Sequence, residues 1–327
     1  MQTYLLGKTD IRITPVGLGC WQFSGGRGLV GKYWPVIPED IVREIVRVSL
    51  EAGINWFDTA EIYGKGASER ALAAALTALQ VQPGSVVLAD KWWPAMRFAS
   101  SITKTFPERE NCLGDYPVDL HQIHQPLSLS SVEKQAREMA QLVQAGKIRA
   151  AGVSNFSAKA MRTAHETLAA FNIPLASNQV RYSLLDREIE RNGILDAAKE
   201  LGITIIAYSP LAQGLLTGKY HGEQDIRSMS GPRKWMKRFK PKGLAATRAL
   251  VDILRDTGAA YSASAAQVAL AWTVQRHGET VVAIPGASSV SQAQSNGDSL
   301  AITLKPEELD RIDEAGREAE ARLKRGG

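Results

Sequence analysis

Eight short apolar segments recur along this chain, separated by stretches with helical spacing, and this repeat restricts the fold more than any other feature. We predict strands at residues 16–19, 54–57, 85–90, 118–124, 148–154, 175–179, 203–209 and 280–286. Several are continuous apolar runs, such as Ile203-Thr-Ile-Ile-Ala207, which is typical of parallel strands buried on both faces. Eight strands that alternate with helices favour a (β/α)₈ barrel, and 327 residues is an ordinary length for that fold.

A doubly wound open sheet shares this alternation and is the rival architecture. It would carry a phosphate-binding loop with G-x-G-x-x-G spacing at its first strand-to-helix joint. This chain instead reads Gly17-Leu-Gly-Cys-Trp-Gln-Phe-Ser-Gly25, followed by an irregular stretch up to Pro38. We therefore predict an α/β TIM barrel as a single domain over residues 1–327. An N-terminal hairpin at 4–13 should cover one end, and long loops, including 212–243, should lie at the C-terminal face.

Two local signals concern the helices. Ser130-x-x-Glu133 and Ser264-x-x-Gln267 have the spacing of capping boxes at helix starts. Residues 97–112 follow a helical pattern that contains Pro107, so that helix should be broken or should start late.

The composition excludes several classes of protein. With 44% hydrophobic and 22% charged residues, the chain is an ordinary globular sequence. No apolar run approaches the length of a membrane span, and the first ten residues lack the features of a secretory signal. The two cysteines, Cys20 and Cys112, are too few for a disulfide framework or a metal cluster. These features predict a cytoplasmic protein with no bound metal and no membrane partner.

The net charge of +5 has a local origin. Residues 219–242 contain eight Lys or Arg residues against Glu223 and Asp225. Such a segment can be a solvated loop, a contact for a phosphate-bearing cofactor, or a nucleic-acid surface. Only Trp235 and Phe239 lie among its last six basic residues, which is little stacking material for single-stranded nucleic acid. We therefore predict no nucleic-acid partner.

Four polar residues fall where the predicted strands end, which is where barrels carry their chemistry. Asp58 follows the second strand and Tyr63 lies in the next loop, while Lys91 follows the third strand and His124 ends the fourth. Each has a structural explanation taken singly, but together they form a specific set. An ammonium group makes a nearby phenol a better proton donor, a carboxylate keeps that ammonium charged, and an imidazole can bind the same substrate oxygen. Such a site protonates a carbonyl oxygen. Because no Ser or Cys stands out as a nucleophile, it points to hydride from a cofactor.

Six ordered stretches resemble the aldo-keto reductases. They are Asn55-Trp-Phe-Asp-Thr-Ala-Glu-Ile-Tyr-Gly64, His121-Gln-Ile-His-Gln-Pro126, Gly146-Lys-Ile-Arg149, Gly152-Val-Ser-Asn-Phe156, Ala207-Tyr-Ser-Pro-Leu-Ala-Gln-Gly-Leu-Leu-Thr-Gly218 and Ile284-Pro-Gly-Ala287. The chain is most similar to the bacterial and plant members that also resemble potassium-channel β-subunits. The resemblance implies a barrel enzyme that reduces small carbonyl compounds with NADP(H) and needs no metal.

The resemblance also assigns residues to roles. It places Asp58, Tyr63, Lys91 and His124 at the catalytic positions, with Tyr63 as general acid and base. The residues it implies around the nicotinamide and the cofactor mouth are Gly19, Cys20, Trp21, Ser154, Asn155, Gln179 and Tyr208. Those implied along the pyrophosphate are Ser209, Pro210, Leu211, Gly214, Leu215 and Lys219, and those at the adenosine are Gly286, Ser288, Gln292 and Asn296. For the substrate we expect an apolar wall made by Trp21 and Trp92, whereas Trp56 and Trp93 should pack in the core.

The chain departs from the family pattern at the adenosine end. Ser288-Ser289-Val290 stands where many relatives carry Arg or Lys against the 2′-phosphate, and Ser295 stands where a Glu usually precedes the Asn. NADP(H) is therefore the expected cofactor, with NAD(H) as the alternative. The basic segment could supply the missing charge through Arg227, Arg233, Lys234, Lys237 and Arg238.

Two alternatives to a carbonyl reductase stay open. One keeps the barrel and makes Lys91 a Schiff-base nucleophile, although Asp58 beside it would hold the amine protonated. The other is a regulatory protein that binds the nucleotide and turns over little, like the channel β-subunits.

Overall fold

The computed structural model describes residues 2–31, 33–221 and 232–325. The strands are β1 (Tyr4–Leu5), β2 (Arg12–Ile13), β3 (Leu18–Gly19), β4 (Trp56–Asp58), β5 (Val87–Trp92), β6 (Leu120–Ile123), β7 (Ala150–Ser154), β8 (Leu175–Arg181), β9 (Thr204–Tyr208) and β10 (Val281–Ile284). The α-helices are α1 (Gly28–Gly31), α2 (Glu39–Glu51), α3 (Ala67–Ala78), α4 (Ser101–Leu113), α5 (Val132–Gln144), α6 (Ala158–Ala169), α7 (Ile194–Leu201), α8 (Pro241–Ala259), α9 (Ala265–Gln275), α10 (Val290–Asp298) and α11 (Pro306–Arg325).

Strands β3 to β10 form one parallel sheet in which every strand pairs with its neighbour in sequence. The two ends of the sheet meet, because Val16 bridges Ala283 and Gly19 bridges Gly286, both in parallel. The sheet is thus a closed eight-stranded barrel rather than an open doubly wound sheet. Each of the eight predicted segments contains or overlaps one of these strands, so the predicted fold is confirmed.

The N-terminal hairpin covers the end of the barrel where the strands begin. β1 and β2 pair in antiparallel fashion, and the Gly7 N–H between them donates to Thr204 Oγ1 at 2.7 Å. The hairpin contributes Tyr4, Leu6, Ile11 and Ile13 to the core inside the barrel. The predicted cap is confirmed, and it leaves the opposite end of the barrel for the long loops.

Strand alternation divides the apolar side chains into an outer core, between the strands and helices, and an inner core within the barrel. The inner core includes Trp56, Val87 and Leu120, each near the start of its strand. Because side chains two residues apart share a face, the next inward position on each strand is Asp58, Ala89 and Gln122. One step further come Lys91 and His124. The period of the strand therefore directs the polar set toward the open end of the barrel.

The helix signals were right in one case and wrong in two. Ser264 caps α9 in a complete capping box with Gln267, as predicted. The cap of α5 is Ser131 rather than Ser130. Helix α4 runs unbroken through Pro107, which lies on an exposed face where the missing N–H does not leave a buried gap.

Among the described helices, none combines the length and the apolar character that crossing a bilayer requires.

Candidate active site

Asp58 and Lys91 form a buried ion pair at the carboxyl ends of β4 and β5. Lys91 Nζ contacts Asp58 Oδ1 and also donates to the Thr59 carbonyl oxygen at 2.7 Å. Asp58 Oδ2 accepts from Gln179 Nε2 at 2.8 Å and from Gln122 Nε2 at 3.3 Å. Although burial alone lowers the pKa of Lys91, the Asp58 carboxylate raises it above the ordinary lysine value. Lys91 therefore carries a positive charge at neutral pH.

Tyr63 lies half-buried beside this ion pair, with its ring centroid 5.0 Å from Lys91 Nζ. The chain turns just after it at Gly64, where φ is +71° and a Cβ would fall 2.2 Å from the Ser24 carbonyl oxygen. Burial raises the pKa of Tyr63 to about 12, and the Lys91 ammonium offsets part of that rise. The phenol is therefore protonated at neutral pH and available as a proton donor.

His124 stands against the edge of Tyr63 at the rim of the barrel. The two ring centroids are 5.6 Å apart and the ring planes make an angle of 83°. Burial, with a further contribution from the Lys91 ammonium, lowers the pKa of His124 well below its ordinary value. Its Nδ1 is buried and finds no hydrogen-bond partner among the described residues. The site thus combines a charged amine, a protonated phenol and a neutral imidazole within one group of contacts.

The residues expected around the nicotinamide form one hydrogen-bonded group next to the ion pair. Ser154 Oγ donates to the Gln179 carbonyl oxygen at 2.8 Å, and Asn155 Nδ2 donates to Ser154 Oγ at 3.0 Å. Tyr208 Oη donates to Asn155 Oδ1 at 3.0 Å. Gln179 connects this group to Asp58, so an amide-bearing ring placed on Tyr208 would meet side chains that are already oriented.

The loop after β9 has an unusual backbone. Ser209, Ala212, Gln213 and Gly214 all have positive φ, at +54°, +48°, +60° and +95°. Non-glycine residues in this region are strained, and such strain concentrates at ligand-binding loops. Alternation of right- and left-handed residues also turns backbone N–H groups toward one side, which suits an anionic chain. The positions expected along a pyrophosphate are Ser209, Pro210, Leu211, Gly214, Leu215 and Lys219, and all belong to this loop or its end.

The positions expected at the adenosine lie on the turn before α10 and on that helix. The Ser288 N–H donates to Gln292 Oε1 at 2.9 Å, and Asn296 Nδ2 donates to the Gly286 carbonyl oxygen at 3.4 Å. Gly286 bridges Gly19 at the barrel seam, and β10 pairs with β9. The three expected cofactor segments are therefore neighbours around the mouth, which fits a dinucleotide that extends from Tyr208 toward α10.

Cys20 and Trp21 follow Gly19 but take different sides. The Cys20 thiol is fully buried in the outer core and burial raises its pKa, so its side chain does not contribute to the mouth. Trp21 stacks on Tyr63 with ring centroids 6.0 Å apart, and it also stacks on Tyr33 at 5.1 Å. Trp34 meets the edge of Trp21 at 5.6 Å. An aromatic wall therefore begins at the phenol itself.

The structure does not bring Trp92 to the mouth, contrary to our expectation. Trp92 is 1% exposed in the outer core, and its Nε1 donates to Ser101 Oγ at 3.1 Å. Trp93 instead reaches the site, with its ring edge-on to His124 at 5.3 Å. The physical reason is the strand period: Lys91 faces inward, so Trp92 must face outward and Trp93 inward.

The basic segment does not act as one unit. Arg233 donates to Tyr220 Oη at 2.6 Å and covers the Trp34 ring at 5.1 Å, so it lies near the aromatic wall. Arg238 forms an ion pair with Asp186 after β8, and Lys237 belongs to the same region rather than to the turn before α10. Arg227 and the side chain of Lys234 lie outside the described residues. The geometry thus gives no support to Lys237 and Arg238 as 2′-phosphate contacts.

Our sequence reasoning missed Gln122, Tyr33 and Trp34, and it wrongly assigned Trp93 to the core. Gln122 lies two residues before His124 and Trp93 two residues after Lys91, so the strand period could have identified both. Tyr33 and Trp34 lie on an irregular loop, where no periodicity connects sequence position to direction.

Sequence comparison shows which known proteins this chain resembles. The sequence model of the aldo/keto reductase family matches residues 15–317. An uncharacterized oxidoreductase of Mycobacterium tuberculosis is 37% identical over 306 residues, covering 94% of this chain and 90% of the relative. The aldo-keto reductase YhdN of Bacillus subtilis is 33% identical over 321 residues, covering 94% and 91%.

Two solved structures show the same architecture. The glycerol dehydrogenase of Gluconobacter oxydans superposes with a TM-score of 0.81 at 28% identity, covering 96% of this chain and 94% of that one. An aldo-keto reductase from Klebsiella pneumoniae in complex with NADPH gives a TM-score of 0.73 at 25% identity, covering 96% and 95%.

Proposed function

This chain belongs to the aldo/keto reductase family of oxidoreductases, and from that premise we propose that it reduces small aldehydes or ketones with NADPH. The observation that carries the proposal is the contact group of Asp58, Lys91, Tyr63 and His124 at the open end of the barrel.

In the proposed reaction, bound NADPH supplies a hydride to the carbonyl carbon. Tyr63 donates its proton to the carbonyl oxygen as that oxygen gains charge. The Lys91 ammonium makes the phenol a stronger acid at that moment, because a nearby positive charge stabilises phenolate. His124 is neutral and can donate one ring N–H to the same oxygen, which positions it.

The cofactor would be held by the groups that surround the mouth. The Tyr208 ring is the stacking surface for the nicotinamide, and Ser154, Asn155 and Gln179 are its amide partners. The loop after β9 would follow the pyrophosphate. The turn at Ser288 and the helix residues Gln292 and Asn296 would hold the adenosine.

NADPH is the proposed cofactor and NADH is the alternative. A relative from Klebsiella pneumoniae binds NADPH in its solved structure. In this chain Ser288 and Ser289 offer hydroxyl and N–H donors, but no positive charge, at the start of α10. Helix N-termini attract phosphate without a cation, although more weakly than an Arg contact does.

The deciding experiment follows NADPH absorbance with a panel of small aldehydes, for the native protein and for Tyr63→Phe. Tyr63→Phe should lose turnover by about 10²-fold or more while it still binds NADPH, because the substitution removes only the hydroxyl group that donates the proton. Tyr261→Phe is the matched control, since its hydroxyl bonds Glu308 on the surface, and it should turn over normally. Repeating the assay with NADH measures the cofactor preference.

The opposite result has a defined meaning. Tight NADPH binding with no turnover on any aldehyde would overturn the reductase proposal. It would favour a regulatory nucleotide-binding protein of the kind represented by channel β-subunits.

A further inference from the structure

Part of the basic segment lines a cleft that the proposed reaction does not use. The cleft has a volume of about 850 Å³ and lies between the loop after β8, the start of α8 and the end of α11. Eight Lys or Arg side chains and three Asp or Glu side chains line it, counted over the described residues. Its volume is in the range of small-molecule sites, and the sign of its charge selects an anion.

Four of these cations pair with described carboxylates. They are Arg187, Arg238, Arg322 and Lys324. The acids of the cleft are engaged as well, since Asp186 holds Arg238, Glu188 lies 3.6 Å from Arg191 and Glu320 lies 2.7 Å from Arg191. The carboxylates of the lining are therefore already engaged and do not pair with Arg181, Lys240 or Lys242.

Three of the remaining cations, Arg181, Lys240 and Lys242, are exposed and make no ion pair with a described carboxylate. Lys240 Nζ lies 5.7 Å from the centroid of the Trp235 ring. The Arg181 guanidinium lies 5.8 Å from the centroid of Tyr208. Aromatic contacts of this kind leave the positive charge uncompensated, so the cleft keeps an excess of positive charge toward its opening.

The walls of the cleft are apolar between these charges. Leu185 is buried, and Ala246 and Leu323 are half-buried, one on each of the three segments that enclose the cleft. A ligand that satisfies both features carries negative charge at its edge and apolar surface in its body. A fully hydrated inorganic ion would leave those walls uncovered.

We propose that this cleft binds a small organic anion that has an apolar body and more than one negative charge. The Arg181 side chain lines the cleft and also lies over the Tyr208 ring, so the cleft is adjacent to the ring proposed to stack on the nicotinamide. It is nevertheless separate from the expected path of the cofactor, which leaves Tyr208 in the direction of β10 and α10. The existence of the anion site does not depend on the proposed function.

The test is a calorimetric titration with naphthalene-1,5-disulfonate, which has an aromatic body and two sulfonates. Citrate serves as the charged probe without an apolar body, and 1,5-dihydroxynaphthalene as the apolar probe without charge. Each is titrated into the native protein, Lys240→Gln/Lys242→Gln and Arg181→Gln. The matched control is Lys104→Gln/Lys134→Gln, which removes two exposed lysines from α4 and α5 instead. All titrations are repeated with excess NADPH.

We expect the disulfonate to bind more tightly than either other probe, and more weakly as salt rises. Its Kd should increase about tenfold in the Lys240/Lys242 variant and measurably in Arg181→Gln, with no change in the control. Binding should persist in the presence of NADPH.

Equal Kd values in the cleft and control variants would overturn the proposal. Displacement of the disulfonate by NADPH would also overturn it, because the probe would then occupy the cofactor path. Citrate that binds as tightly as the disulfonate would overturn the assignment of an apolar body. Arg181→Gln keeps the test decisive if the double variant misfolds.

Discussion

Asp58→Asn isolates the charge of the buried ion pair, because asparagine has nearly the same shape as aspartate. The Lys91 side chain is fully buried and that of Asp58 is 2% exposed. Asp58 accepts from Lys91 on one oxygen and from Gln179 and Gln122 on the other. Asparagine has a single acceptor oxygen, so its NH₂ group must face at least one of these donors. The substitution therefore removes the charge that balances the Lys91 ammonium, and it leaves either Lys91 with only the Thr59 carbonyl oxygen as acceptor or a glutamine amide with none.

The expected loss of stability is about 3–5 kcal/mol at neutral pH, the usual cost of removing one partner from a buried ion pair. The loss should depend on pH in a defined direction. Without Asp58, burial lowers the pKa of Lys91 below that of the unfolded chain, so the unfolded variant binds more protons and the stability of the variant rises with pH. In the native protein the raised pKa of Lys91 keeps its contribution intact until the pH exceeds the ordinary lysine value. The gap between the two proteins should therefore narrow, by up to about 1.4 kcal/mol per pH unit, as the pH rises from about 7 to about 9.5.

Urea unfolding of the two proteins across that pH range measures this gap. Asp10→Asn is the matched control, since Asp10 is 86% exposed and lies 3.3 Å from Arg149, and it should change stability by at most about 1 kcal/mol at every pH. An Asp58→Asn protein within about 1 kcal/mol of the native one at neutral pH would refute the reasoning. A gap that widens with pH would refute the assignment of the charge to Lys91.

Three further predictions follow from the same geometry. Trp92→Ala should reduce stability by about 3–5 kcal/mol in urea unfolding. Trp93→Ala should change stability little but raise KM for aryl aldehydes. Equal effects of the two substitutions would contradict the finding that Trp92 faces the outer core and Trp93 the site. Gly17→Ala should lower stability by about 3 kcal/mol or prevent folding, because the added Cβ would lie 2.3 Å from the buried Trp56 ring. An unchanged urea midpoint would show that the ring can move aside. For carbonyl reduction, kcat/KM should fall only at alkaline pH, because Tyr63 must be protonated and its pKa is raised to about 12. A fall of kcat/KM with an acidic or neutral pKa would exclude Tyr63 as the group whose titration limits the rate.

Local pattern was sufficient for the order of the strands and for the class of fold. Strands β9 and β10 lie where continuous apolar runs predict them, because a parallel strand buried on both faces needs apolar residues at every position. The end of α7 is set by an equally local feature, since Gly202 ends that helix with φ at +69°. The positions of Asp58 and Lys91 at strand ends also followed, since each is counted from the apolar residues before it.

Tertiary structure alone decided which groups meet across the barrel. Gln122 and Gln179 both donate to Asp58 from strands far away in the sequence, and Arg238 pairs with Asp186 rather than with a cofactor segment. Pro107 was misjudged for a related reason: its effect depends on whether the face it occupies is buried, which no local pattern reports. Periodicity fixes the side of an element to which a residue points, but partners are set by barrel closure and by loop paths. That physical difference separates the strands and the polar positions at their ends, which the sequence alone determined, from the side-chain contacts and the basic cleft, which required the fold.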